Sequence, residues 1–167
     1  MKSFRLLLAG VLFVCSACQR DPSTTGADAA AATRPPASVT VAELQGLRWL
    51  EGTWRGTGVE QAPFYEGYRF LNDSTLQALY YADSTLTQVS DSSRIVLAKG
   101  HLISGGAQAR WVATEIDSFH VHFEPQAGVQ NSFTWTYESP SAWTATLRWT
   151  EDGQPMQRVY QMQRLGS

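Results

Sequence analysis

Three stretches of this chain alternate apolar and polar residues with a period of two, a pattern that a helix cannot turn into one dry face. Trp143, Ala145, Leu147 and Trp149 alternate with Thr144, Thr146, Arg148 and Thr150. Phe133, Trp135 and Tyr137 alternate with Thr134, Thr136 and Glu138, and Phe119, Val121 and Phe123 with His120, His122 and Glu124. Successive side chains of a strand point to opposite faces, so such segments bury one face and wet the other. Further strands are predicted at 53–61, 64–71, 75–82, 85–89, 93–99, 108–116 and 156–165. Between them lie turn residues such as Asn72-Asp73-Ser74, Gly105-Gly106 and Asp152-Gly153. Only Val39 to Trp49 reads as a helix, with Val41, Leu44, Leu47 and Leu50 at helical spacing and Thr40 as its N-cap. About ten short strands in one run predict an all-β domain: a single antiparallel up-and-down barrel of about 8–10 strands with a short N-terminal helix, or else a sandwich.

Hydrophobic residues make up 43% of the 167 positions and charged residues 17%, which excludes a wholly disordered chain. Thirteen Lys and Arg stand against fifteen Asp and Glu, a net charge of −2. That balance lacks the basic surface phosphate backbones require, so nucleic acid is not an expected partner. The two cysteines are Cys15 and Cys18, leaving the strand region without a disulfide or thiolate metal ligands.

Met1 to Arg5 is basic, Leu6 to Val14 is apolar, and small residues precede Cys18, the pattern of a secretory signal. The apolar run is far shorter than the ~20 residues of a spanning helix. Ser16-Ala17-Cys18 resembles the bacterial lipobox, although Cys15 stands where that motif usually has Leu. The resemblance implies a lipoprotein signal peptide over 1–17 and an acylated Cys18 that anchors the chain to a lipid bilayer; ordinary signal cleavage would instead leave Cys18 a free thiol. Residues 18–40 are rich in Ala, Thr, Ser and Pro, the composition of a flexible stalk with a reach of roughly 25 Å. Gln19, rather than Asp, follows the cysteine, which by the same resemblance favours the outer membrane. The barrel domain is expected over 41–167.

Two motifs bracket that domain. Gly52-Thr53-Trp54 resembles the Gly-x-Trp opening of the first strand in calycins, the lipocalin and fatty-acid-binding-protein superfamily, and Arg158-Val159-Tyr160 resembles the Arg-x-Tyr near the end of fatty-acid-binding proteins. More closely, Trp49-Leu50-Glu51-Gly52-Thr53-Trp54 and Phe123-Glu124-Pro125 resemble landmarks of an uncharacterised bacterial envelope lipoprotein family with a lipocalin-like domain. That family's second segment continues with His and Asp-Phe-Pro, where this chain has Gln126-Ala127-Gly128-Val129-Gln130. The resemblance spans roughly residues 46–165. It implies a lipocalin-like barrel that binds a small hydrophobic or amphipathic ligand. Haem-binding relatives of the calycin barrel use a His near the C-terminus, and none follows His122 here, so no cofactor is expected.

Alternation places two charges on the inner face, where an unpaired charge is costly. Glu66 shares its face with Phe64, Tyr68 and Phe70, and Arg158 with Met156, Tyr160 and Met162. Two readings stand. Glu66 and Arg158 satisfy each other, or Arg158 stacks on Trp54 and seals one barrel end as calycin Arg–Trp pairs do. Alternatively Glu66, Tyr68, Arg158 and Tyr160 form a ligand site, with Arg158 and Tyr160 donating to an acidic head group. His120 and His122 lie two apart with only His101 besides, too few for a closed metal site, and Phe119, Val121 and Phe123 are expected to face the core. Trp111, Trp135, Trp143 and Trp149 keep step with other apolar residues and are expected in the core rather than on a carbohydrate platform. With no nucleophile elbow, phosphate loop or zincin motif, a non-catalytic binder is expected. A filled barrel docking an envelope protein is the alternative, and an enzyme of unknown type the third reading.

Overall fold

The structure is a computed structural model describing residues 34–166; Cys18, the signal segment and most of the expected stalk lie outside them. Ten antiparallel strands form a closed up-and-down barrel in which each strand pairs with its neighbours in sequence and the first pairs with the last. The strands are β1 (Gly52–Gly58), β2 (Gln61–Asn72), β3 (Thr75–Tyr81), β4 (Val89–Ala98), β5 (His101–Gly105), β6 (Arg110–Ile116), β7 (His120–Ala127), β8 (Ser132–Ser139), β9 (Ala142–Glu151) and β10 (Gln154–Arg164).

The expected number of strands is met through two errors that cancel. Residues 85–88, expected as part of a strand, lie in the connection between β3 and β4. The Asp83 carboxylate accepts from the Thr85 backbone N–H at 2.8 Å, and Leu86 takes a positive φ of 59° that an extended chain excludes. Conversely, β5 went unrecognised because only Leu102 and Ser104 bury their side chains there, and serine carries no hydropathy signal.

The helix is shorter than expected. α1 (Val41–Gly46) gives way to a 3-10 turn over Leu47–Leu50. Thr40 caps it in a reciprocal capping box with Glu43: the Thr40 hydroxyl accepts from the Glu43 N–H at 3.2 Å, and the Thr40 N–H donates to the Glu43 carboxylate at 2.7 Å. Leu44, Leu47 and Leu50 are fully buried, whereas Val41, expected on the same face, is exposed. Just before the helix the chain already lies on the barrel, where the Ala37 N–H donates to the Ala113 carbonyl and the Val39 N–H to that of Gly100. Ordered packing thus begins ahead of the expected boundary at 41.

The helix meets the turns of one barrel end. Gln45 donates to the Asp73 carbonyl in the β2–β3 turn, and Gly46 lies against Ser118 between β6 and β7. This end is therefore closed, and its leucines join Trp54, Leu76, Leu102, Val121 and Trp143 in one core.

A cation locks the closed end. Arg164, at the end of β10, places its guanidinium 4.2 Å from the Trp54 ring centroid and donates to the carbonyls of Glu51 (2.6 Å), Pro140 (2.8 Å) and Trp49 (3.0 Å). The Gly52-Thr53-Trp54 motif serves this contact. Gly52 has φ +126°, and a Cβ there would overlap the Arg164 guanidinium. Arg158 is thus not the residue that stacks on Trp54: six positions earlier on the same strand, it is exposed, 5.9 Å from the Trp149 ring centroid. Nor does it pair with Glu66, whose side chain meets Tyr68 instead.

Phe119 also departs from expectation. Its backbone N–H and that of His120 are held by the Asp117 carboxylate just before β7 starts, and its ring is 62% exposed against Tyr137 rather than in the core. Val121 and Phe123 do face inward and are fully buried.

Candidate functional site

Above the core the barrel is hollow. A cavity of about 520 Å³ opens between the strands toward the end opposite the helix, with Gln61, Gly105 and Asn131 near its mouth. That exceeds the lower range of small-molecule sites. A barrel of ten strands is wider than one that side chains fill completely, and small residues at Ala78, Ser93, Ser104 and Ala145 leave the space empty.

The rest of the wall is aromatic. Trp135 and Trp143 form its floor with Tyr68, and Trp111 and Phe133 stand higher, packed edge to face with centroids 5.7 Å apart. The Trp111 indole donates to the Asn131 carbonyl at 2.7 Å, which fixes the ring. Phe64 and Tyr160 meet at 5.3 Å over a strip of β1 without side chains: a Cβ at Gly56 would overlap the Phe64 ring, and one at Gly58 would lie 2.9 Å from Tyr160. The expectation that the tryptophans are core residues holds for Trp135 and Trp143, which are buried and serve as cavity floor as well. Trp149 is only half-buried, near Arg158.

One ionisable acid enters this aromatic space. Glu66 on β2 stands between Trp54 on β1 and Tyr80 on β3 in the strand register, with all three on the inner face. The Tyr68 hydroxyl donates to its Oε2 at 2.6 Å; no other hydrogen bond reaches this carboxyl among the described residues. Tyr80 is engaged with Ser93, their hydroxyl oxygens 2.9 Å apart. Burial pushes the Glu66 carboxyl above the ordinary carboxylate range, and the Tyr68 hydrogen bond opposes this only in part. Burial also raises the Tyr68 hydroxyl well above its usual value, with the nearby Glu66 charge adding to it, so Tyr68 remains a hydrogen-bond donor at neutral pH.

Of the four expected ligand residues, the structure brings Glu66, Tyr68 and Tyr160 to the cavity and leaves Arg158 outside its lining. Strand parity does put Arg158 on the inner register, opposite Leu147, but near the end of the hairpin. Sequence reasoning missed Tyr80, Ser93, Ser104, Trp111 and Asn131 as wall residues. The inward series Trp54, Gly56, Gly58 was the available signal that β1 leaves room for rings from its neighbours. His120 and His122 lie on the outer face. His120 faces Asp117 at 2.9 Å and Glu115 at 3.6 Å, and His122 faces Glu124 at 3.0 Å and the Thr134 hydroxyl at 2.7 Å.

A raised carboxyl pKa has a cost for folding. The unfolded Glu66 ionises near 4.5, whereas the folded one holds its proton to higher pH, so the native state binds more protons between the two values. Stability from this residue is complete below about 4.5 and is lost as pH rises through the folded value. Glu66→Gln, which still accepts from Tyr68, is therefore expected to raise the urea midpoint at pH 7 relative to the parent and to leave it unchanged near pH 4. A midpoint that falls at pH 7 would show that the carboxylate is paired in a way this geometry lacks.

No protein-family model matches this chain, and no curated protein matches it. Among solved structures it is similar to one described as "Structure of EF1p2_mFAP2b bound to DFHBI", with 12% identity, a TM-score of 0.39, and coverage of 74% of this chain and 99% of that one. It is also similar to a redesigned beta barrel, b11L5F_LGL, with 14% identity, a TM-score of 0.33, and coverage of 71% of this chain and 93% of that one.

Proposed function

We infer that this protein binds and shields a small, largely apolar molecule inside its barrel, without chemistry on it. The observation that carries this is the unfilled, aromatic cavity of about 520 Å³ above the helix-covered core. A barrel acting solely as a docking module has no use for the void, since an empty cavity forfeits packing energy that larger residues at Ala78 or Ala145 would supply. Exposed Val59 (83%), Val89 and Met156 border the turns at the open end and suit the approach of an apolar ligand. The resemblance to an envelope lipoprotein family with a lipocalin-like domain agrees with this reading. On the strength of Ser16-Ala17-Cys18 and the Ala, Thr and Pro composition after it, the barrel is tethered to the outer membrane through acylated Cys18.

The experiment has two arms. Membrane fractionation of Cys18→Ser should move the protein from the lipid pellet to the soluble fraction, and a mutant that still pellets removes the tether. An environment-sensitive naphthalene dye should bind the purified protein with stoichiometry one, and Leu147→Trp, which puts an indole into the cavity, should abolish the signal while the barrel stays folded. Undiminished binding by Leu147→Trp would place the dye elsewhere and remove the cavity reading.

A further inference from the structure

We propose that the cavity selects organic cations: amphipathic amines whose ammonium group sits against Glu66 while an apolar body rests on the aromatic walls. This deepens the reading of the barrel as a small-molecule binder and rests on it. The cavity lining includes one carboxyl and, among the described residues, no Lys, Arg or His. The two arginines nearest in sequence pattern are elsewhere, Arg158 exposed beside Trp149 and Arg164 spent on Trp54 and three carbonyls of the closed end. The acidic head group that the sequence suggested therefore has no cation to meet inside, and it would lie against a carboxylate instead.

The geometry suits the opposite charge. The Oε2 of Glu66 is occupied by the Tyr68 hydroxyl, and Oε1 has no partner among the described residues, so one carboxylate oxygen is free to accept from an ammonium. Around it stand the rings of Tyr68, Tyr80, Trp135 and Phe64, whose negative faces offset the loss of water from a buried cation. The hydroxyls of Tyr80, Ser93 and Ser104 add polar groups to the same lining. A carboxylate placed inside without a fixed cation is costly on its own, and a cationic ligand removes that cost on binding.

The test uses three probes with one aromatic body: naphthylmethylamine, its uncharged isostere ethylnaphthalene, and naphthylacetate. Calorimetric or fluorescence titration of the purified protein at pH 8 should give the amine an affinity at least about tenfold above that of ethylnaphthalene, the worth of one charge-assisted hydrogen bond, with naphthylacetate weakest. Glu66→Gln should erase the amine's advantage, so that amine and ethylnaphthalene bind that variant with equal affinity. Amine affinity should also fall with pH as Glu66 takes up its proton, while ethylnaphthalene stays flat. The titratable groups on this face are Tyr68 on Glu66's own strand, Tyr80 on β3 and, opposite Tyr80, Asp91 on β4, with the uncharged Trp54 opposite Glu66 on β1. Neither phenol ionises in that range, and Asp91 is retained in Glu66→Gln, which isolates the part due to Glu66. Equal affinities for amine and isostere, or a preference for naphthylacetate, would overturn the cation proposal and leave the binding function standing. Failure of all three probes to bind would overturn both.

Discussion

Trp143→Ala is expected to cost about 3–5 kcal/mol of folding free energy, out of the ~5–15 kcal/mol that a domain of this kind has in total. Trp143 is 1% exposed and sits where the closed end meets the cavity floor. Its ring lies 5.8–6.0 Å from those of Trp49, Trp54, Tyr68 and Trp135. Each edge contact adds to simple burial, so the loss falls on four neighbours at once. The void left behind would join the existing cavity rather than collapse. Urea unfolding, followed by circular dichroism so that the readout does not depend on the deleted indole, should show the midpoint falling by about 1–3 M. A loss below 1 kcal/mol would mean that the rings repack freely and that the floor is not rigid.

Arg164→Met and Arg158→Met should differ sharply although both remove a guanidinium from the inner register of β10. The first strands the carbonyls of Trp49, Glu51 and Pro140 and strips the cation from Trp54. It should lower stability by about 3 kcal/mol or more. The second removes an exposed charge beside Trp149, and its effect should stay within about 0.5 kcal/mol. Parallel urea titrations decide it, and equal losses would return Arg158 to a structural role.

That pair also shows what alternation reveals and where it stops. Parity correctly put Glu66, Tyr68 and Tyr160 on the inner face, because side-chain direction follows from counting along one strand. Height along the barrel depends on pairing between strands. Arg158 and Arg164 have the same parity, and only the register, in which Trp54 stands opposite Arg164, tells them apart. Antiparallel closure would have supplied the answer: the start of the first strand must meet the end of the last. The empty interior was less legible, since the many aromatics read equally well as filler until the small residues Ala78, Ser93 and Ser104 are known to line the same cavity. Short β5 and the false strand at 85–89 fail for a local reason, a pattern too brief to outweigh one serine or one Asp-capped turn.

The seam between β1 and β10 has a consequence in time. It joins partners as remote as Glu51 and Arg164, 113 residues apart, and contacts of such separation are reached late because a long loop must be closed first. Until then β1 and β10 each present a row of unpaired backbone groups, and a strand in that state adds readily to another chain. The arginine at the end of β10 is thus a latch as well as a brace: once it reaches the Trp54 ring, the molecule has no open edge left. Lesions there should favour association between partly folded chains, in addition to the stability they take from the finished barrel.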